Sequence, residues 1–254
     1  PNTTGLTEVD YRLTDQRADP DNMDSFYSET LARLSPSFLC YNPPHNSPEP
    51  GEPPGKNSGT ITFGSFNSAR KISEQVIEAW ASILNKVPES RLMLKYKGLN
   101  HPLVARRITD LFATLGVDAE RLTLLDSLTD SFQHLALYQQ MDIALDTFPY
   151  NGTTTTFEAL WMGVPVVTMV GETHPSRVGG SILSELELDE LISVSLDEYV
   201  EKATNLAHAP KRIEELRRSM RSRLKESAMM DGKHFAREVE RAYRKMVEKI
   251  NRSS

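Results

Sequence analysis

The sequence predicts an α/β fold: a Rossmann-like parallel sheet with helices on both faces and a helical carboxyl terminus. Three observations carry this. Short apolar runs alternate with amphipathic stretches from Ile61 to Val194, the spacing of strands that return in parallel through a crossover helix. Several of the intervening loops are rich in glycine and hydroxyl residues, and they lead from a strand into a helix. From Leu196 onward the chain becomes charged and helical in pattern.

The elements follow in order. Val9 to Thr14 alternates like a strand, Asp24 to Leu34 reads as a helix, and Ser37 to Tyr41 as a short strand. Residues 43–58 carry Pro43, Pro44, Pro48, Pro50, Pro53 and Pro54, each of which fixes φ and removes a donor, so this stretch reads as a linker. It divides the chain into 1–42, the linker 43–58, and a lobe over 59–254. Within the lobe, strands are expected at Ile61–Phe66, Arg91–Lys97, Leu122–Leu125, Asp142–Leu145, Val164–Met169 and Leu191–Val194. Helices are expected at Glu74–Val87, at Pro102–Leu115 with Gly116 as its stop, up to Gln140, at Thr155–Met162, and at Ser176–Leu186. Leu196–Ala207, Lys211–Ser227 and His234–Ile250 complete the tail. In the last of these Phe235, Val239, Tyr243, Met246 and Ile250 follow helical spacing, which reads as an ordinary core stripe.

Composition narrows the function classes. The 254 residues suffice for one large core or a domain with an appendage, and 39% hydrophobic with 25% charged residues places them among soluble globular chains. A net charge of −6 argues against a reader of nucleic-acid backbones, which needs clustered Lys and Arg. With Cys40 as the single cysteine no intramolecular disulfide can form, so a reducing cytoplasm is expected. No apolar run approaches a membrane span, no signal peptide opens the chain, and no repeat of tetratricopeptide length occurs. The chain begins at Pro1 in a turn-like segment, which reads as a piece of a longer protein.

In an open parallel sheet, ligands bind beyond the carboxyl ends of the strands. The first loop to inspect there runs from Asp146 to Glu158 and holds Asn151, Gly152, Thr153, Thr154, Thr155 and Thr156. Gly152 permits a tight turn or a close backbone approach. The free amides and dipole of the following helix favour an anion such as a diphosphate, although a single threonine capping the helix would also account for part of the pattern. Glu158, one turn further on, could accept from sugar or ribose hydroxyls, or could be a solvated acid. The second loop, Gly64–Ile72, brings Lys71 to the mouth of the sheet, where an ammonium can neutralise a leaving diphosphate; Arg70 is a rival. The third, Gly171–Ser181, has Gly179 and Gly180, which suit tight helix packing. The six histidines lack metal-ligand spacing, and Asp19-Pro20-Asp21 is only a minimal metal pattern outside the sheet, so no metal site is expected.

These loops, in this order, resemble the carboxyl-terminal catalytic lobe of the SPINDLY and O-GlcNAc transferase family. The match is strongest over Leu145-Asp146-Thr147, Asn151-Gly152 with its threonine run, and Leu160–Met169, and continues through Gly171-Glu172-Thr173 and Ser176-Arg177-Val178. Pro1–Leu6 and Asp10–Asp15 resemble the SPINDLY branch at the end of its amino-terminal lobe, so the resemblance covers essentially the whole chain. It implies a GT-B architecture and an inverting, metal-independent enzyme that moves a sugar from a nucleotide sugar to Ser or Thr of proteins. By position it implies that Lys71 and the Asn151–Thr155 turn contact the donor diphosphate, that His134 lies by the base, and that Glu158 stands for an acid on the ribose. Lys71 carries the catalytic role in this reading. Thr153 stands where O-GlcNAc transferases have histidine, a change that SPINDLY-like proteins share, which leaves the donor between UDP-GlcNAc and GDP-fucose. No cofactor is expected beyond that donor. The partners implied are protein acceptors, a missing amino-terminal lobe and tetratricopeptide repeats, with no nucleic acid and no membrane. Other readings of the same loops are a different GT-B enzyme, such as a nucleotide-sugar epimerase, or a non-catalytic module that binds a nucleotide sugar or a protein.

Overall fold

The structure is a computed structural model and describes residues 2–253. Among these residues eight strands fall into two parallel sheets. The small one pairs β1 (Tyr11–Asp15) with β2 (Thr30–Leu34), in the register Tyr11 opposite Thr30. The large one contains β3 (Thr62–Ser65), β4 (Arg91–Lys95), β5 (Leu122–Leu125), β6 (Ile143–Leu145), β7 (Val166–Met169) and β8 (Ile192–Ser193), in the spatial order β5-β4-β3-β6-β7-β8. The chain runs outward from β3 to β5, then returns to place β6 against the other side of β3. The topological switch point, where such sheets bind ligands, therefore lies between β3 and β6.

Consecutive residues of a strand point to opposite faces. Leu92, Met93 and Leu94 are all buried, as are Ile143, Ala144 and Leu145, so helices cover the sheet on both sides. The helices are α1 (Gly55–Ser58), α2 (Glu74–Lys86), α3 (Pro102–Thr114), α4 (Ser131–Ala136), α5 (Thr154–Trp161), α6 (Val178–Glu185), α7 (Leu196–Ala207), α8 (Pro210–Glu226) and α9 (Gly232–Ser253). Gly116, at φ +79°, stops α3 as its sequence position implies. The buried indole of Trp80 in α2 donates to the Tyr199 hydroxyl of α7, which in turn donates to the carbonyl of Asp146 at the end of β6. This fixes the strand end from which the candidate site grows.

Three local expectations change. The helix expected over 24–34 is replaced by a 3-10 turn at Asp21–Phe26 and by β2, because pairing with β1, remote in sequence, outweighs the local period. Ser37–Tyr41 forms no strand. Its polar groups are taken by other partners: the Phe38 amide and Ser37 hydroxyl donate to Asp15, and the Tyr41 amide donates to the carbonyl of Met229. The stripe on α9 is only partly core. Phe235, Val239 and Met246 are half-buried, Tyr243 is 56% exposed, and the side chain of Ile250 lies outside the described residues.

Residues 43–58 are pinned to the lobe. The Gly55 amide donates to Asp142, and the buried Arg217 of α8 donates to the carbonyls of Pro50 and Gly51.

Candidate functional site

The loop after β6 is organised by a carboxylate. Asp146 is buried, and its Oδ1 accepts from the amides of Thr147 (2.8 Å) and Gly152 (2.6 Å) and from the Asn67 side chain (3.3 Å), while Oδ2 accepts from the Thr168 hydroxyl at 2.7 Å. Burial pushes its carboxyl above the usual range, and the Gly152, Thr168 and Thr147 donors and the Lys71 charge pull it back. The turn folds tightly around this group. A Cβ on Gly152 would stand 2.6 Å from the Thr155 hydroxyl and 3.1 Å from Asp146 Oδ1, so only glycine fits. Gly179 is needed for the same reason: a Cβ there would meet Asp146 Oδ2 at 2.7 Å and the Thr168 hydroxyl at 2.4 Å, which bears out the tight packing expected of α6.

The turn ends at the amino terminus of α5. Three helix starts are sealed by side chains: Ser73 caps α2, Asp130 caps α4 and Ser195 caps α7, each accepting an amide of the first turn, whereas α1, α3, α6 and α8 have no side-chain cap. At α5 the N-cap residue is Thr153, and its side chain makes no cap hydrogen bond. The first backbone bond of the helix runs from the Phe157 amide to the Thr153 carbonyl. The amides of the preceding turn thus have no partner within the helix, and the helix dipole adds partial positive charge at the same place. Of the four threonines, Thr154 is exposed, Thr153 and Thr155 are half-buried and Thr156 is buried; the Thr155 hydroxyl donates to Asn67 at 3.0 Å.

Lys71 reaches this turn from the loop after β3. Its ammonium donates to the carbonyl of Asn151 at 2.6 Å and lies 4.2 Å above the Tyr150 ring. Burial lowers its pKa, and Asp146 partly opposes that. Arg70, the rival, is exposed. Asn151 is 1% exposed, and its amide is engaged within the protein: it donates to Thr147 and Met169 carbonyls and accepts from the Gly179 amide. Asn151 shapes the turn, and its carbonyl is what Lys71 holds.

A second cluster lies beside it. His134 Nδ1 meets the ammonium of Lys95 at the end of β4, and its Nε2 pairs with Glu158 at 2.9 Å. A lysine has no acceptor, so Nδ1 accepts and the proton sits on Nε2, facing the carboxylate. Tyr138 also donates to Glu158, at 3.3 Å, and Phe66 packs against both rings. His134 and Glu158, 24 residues apart, are thus brought together, and Glu158 lies on α5, the helix that the turn held by Lys71 leads into. Sequence reasoning missed Asp146, Asn67 and Lys95. Lys95 carried a signal, as a lysine at the end of an apolar strand; Asn67 carried none. Among the described residues no group of three or more His, Cys, Asp or Glu could hold a metal ion.

Residues 54–239 match the model of glycosyl transferase family 41. The chain belongs to that family. It is 45% identical, over 249 residues, to the tomato protein (Solanum lycopersicum) described as a probable UDP-N-acetylglucosamine–peptide N-acetylglucosaminyltransferase SPINDLY; the match covers 97% of this chain and 26% of the relative. The Arabidopsis thaliana protein of the same description is 43% identical over 252 residues, with 98% and 27% covered. Among solved structures, the O-GlcNAc transferase of Thermobaculum terrenum superposes with a TM-score of 0.86 at 39% identity, covering 96% of this chain and 46% of that one. The α/β architecture is therefore that of the GT-B glycosyltransferases, and the chain spans about a quarter of its curated relatives' length.

Proposed function

We propose that this chain is the donor-binding part of a protein O-glycosyltransferase that moves GlcNAc or fucose from a nucleotide sugar to Ser or Thr hydroxyls. One observation carries the reading: an uncapped helix amino terminus at the switch point of the sheet, with a half-buried ammonium beside the same turn. The diphosphate lies against the amides of Thr153–Thr155 with Lys71 as its counter-charge. His134, Lys95 and Glu158 take the base and ribose side. The acceptor oxygen attacks the anomeric carbon and gives up its proton to a base of the amino-terminal lobe, the bond from that carbon to the phosphate oxygen breaks, and the nucleoside diphosphate leaves. Charge growing on the leaving oxygens meets donors already in place, which requires no metal ion or cofactor. Removing one such donor raises the barrier by about 3–4 kcal/mol.

The whole enzyme includes an amino-terminal lobe that supplies the acceptor groove, together with tetratricopeptide repeats, and acts in the cytoplasm; this chain alone is inactive. Residues 2–42 are the end of that lobe and 43–58 the connection to this one. Calorimetry of the chain with UDP, GDP and their sugars tests the donor site and identifies the base. Lys71→Ala in the full-length enzyme is expected to abolish transfer while the fold persists. Near-normal transfer would remove Lys71 from the reaction, and turnover of free nucleotide sugar without a protein acceptor would favour an epimerase.

A further inference from the structure

A polar cluster outside the donor site joins the loop after β7 to residues 14–38. Asp19 is fully buried, and its carboxylate accepts from the Thr14 hydroxyl, from Tyr27 OH at 2.7 Å and from His174 Nδ1 at 2.7 Å. Burial pulls its pKa upward, and the His174, Thr14 and Tyr27 hydrogen bonds outweigh that, leaving about 2. The imidazole packs at 5.1 Å against Phe38. Around this pair the Arg177 guanidinium donates to the Arg17 carbonyl, and Ser181 donates to Asp15. A buried carboxylate held by hydrogen bonds gains little stability over apolar packing of the same volume, so such a cluster is better explained by the geometry it enforces.

That geometry leads to Lys71. Immediately after His174, the Pro175 carbonyl accepts the Asn151 amide at 2.8 Å. The Asn151 side chain is held by the same loop at both ends, donating to the Met169 carbonyl and accepting from the Gly179 amide. The Asn151 carbonyl in turn accepts from Lys71 at 2.6 Å. We propose that Asp19 and His174 are positioning residues for Lys71: they fix the loop after β7 so that Pro175 sets the height of the Asn151–Gly152 turn, and that turn holds the ammonium at the mouth of the sheet. Residues 14–38, which contact no part of the donor turn directly in this chain of bonds, thereby govern the donor site. The proposal rests on Lys71 being the donor-site cation, and its test separates the two ideas.

The test uses the 254-residue chain and three variants. His174→Phe keeps the packing against Phe38 and loses the Nδ1 donor, His174→Asn returns an N–H near that position, and Asp19→Asn removes the charge. Two quantities are read: the titration of the Lys71 ammonium, followed by the NMR signal of its ε-carbon, and the affinity for UDP and GDP by calorimetry. In the wild-type chain burial holds the Lys71 titration below the ordinary 10.5, with Asp146 as the facing carboxylate. In His174→Phe the turn is released, Lys71 becomes hydrated, and its titration rises toward the ordinary value. Nucleotide affinity falls by about tenfold or more, the size of one lost charge-assisted contact. His174→Asn restores both readings, and Asp19→Asn shifts both in the same direction as His174→Phe. A merely structural role would lower the melting temperature without moving the Lys71 titration. An unchanged Lys71 titration in folded His174→Phe overturns the proposal, or in Asp19→Asn should the phenylalanine variant not fold. A wild-type chain that binds neither nucleotide overturns the functional reading instead, and the titration still decides the positioning.

Discussion

Gly152→Ala tests the architecture of the donor turn most directly. The added Cβ would stand 2.6 Å from the Thr155 hydroxyl, 2.7 Å from the Thr156 hydroxyl and 3.1 Å from Asp146 Oδ1. None of these can move freely: Thr156 is 2% exposed, the Thr155 hydroxyl is bonded to Asn67, and Asp146 is fixed by four donors. Overpacking of this kind costs about 1–3 kcal/mol. If the backbone retreats instead, the Gly152 amide leaves the buried carboxylate it now reaches at 2.6 Å, a charge-assisted bond of about 1.5–3 kcal/mol. The two costs are alternatives as much as addends, so the loss is about 2–4 kcal/mol. For a chain of this size that lowers the melting midpoint by roughly 5–15 °C. Gly59→Ala is the control. Gly59 has φ +71° and nothing within 4 Å of the added atom, so it reports only backbone strain, about 1 kcal/mol. Thermal unfolding by circular dichroism, with nucleotide calorimetry at the same pH, reads both effects. If Gly152→Ala melts no lower than Gly59→Ala and binds nucleotide undiminished, the close-packed turn around Asp146 is wrong.

Three further outcomes follow from buried charges. The Asp19 carboxyl, at about 2 against an ordinary 3.8, contributes stability that is full above pH 3.8 and drains as the pH falls toward 2. This amounts to roughly 2 kcal/mol, so the melting advantage of the wild type over Asp19→Asn should vanish across that window. Arg217, 2% exposed, donates to the carbonyls of Pro50, Gly51, Tyr138 and Met141; Arg217→Ala strands all four, should cost about 3–5 kcal/mol, and should expose residues 43–58 to limited proteolysis. Because burial lowers the Lys71 pKa from 10.5, nucleotide affinity should fall with rising pH before an ordinary lysine would titrate, and a profile flat up to pH 10.5 would contradict the ammonium's role.

Much of this was legible in the sequence, for definite reasons. The strands of the large sheet are apolar runs separated by recognisable caps and stops, and Leu122–Leu125 and Leu196–Ala207 match the structure residue for residue. The turn after β6 stood out because Gly152 and its threonines are unusual at a strand-to-helix junction. What failed was non-local. β2 forms because β1 lies beside it, which no window around Thr30 could reveal. Asp146 was visible as a residue but not as the centre of the turn, because its four donors come from the loop after β3, its own loop and β7. The Asp19 to His174 contact joins residues 155 positions apart, and local pattern offered no reason to pair them.

The way the two site lysines are satisfied argues for an anionic ligand. Lys71 faces a carbonyl and the ring of Tyr150; Lys95 faces an imidazole nitrogen and, at 4.8 Å, the ring of Phe66. Neither is neutralised by a carboxylate in contact. Asp146 spends its oxygens on amides, a side-chain amide and a hydroxyl, and Glu158 is engaged by His134 and Tyr138. Burial lowers the pKa of both lysines, with a carboxylate countering it only through the field. A direct salt bridge would have removed that cost and consumed the charge. Neutral partners hold each ammonium in place and leave its charge to act on whatever arrives, and a diphosphate seated on the amides of α5 is an anion that would use the Lys71 charge without displacing the carboxylate that shapes the turn.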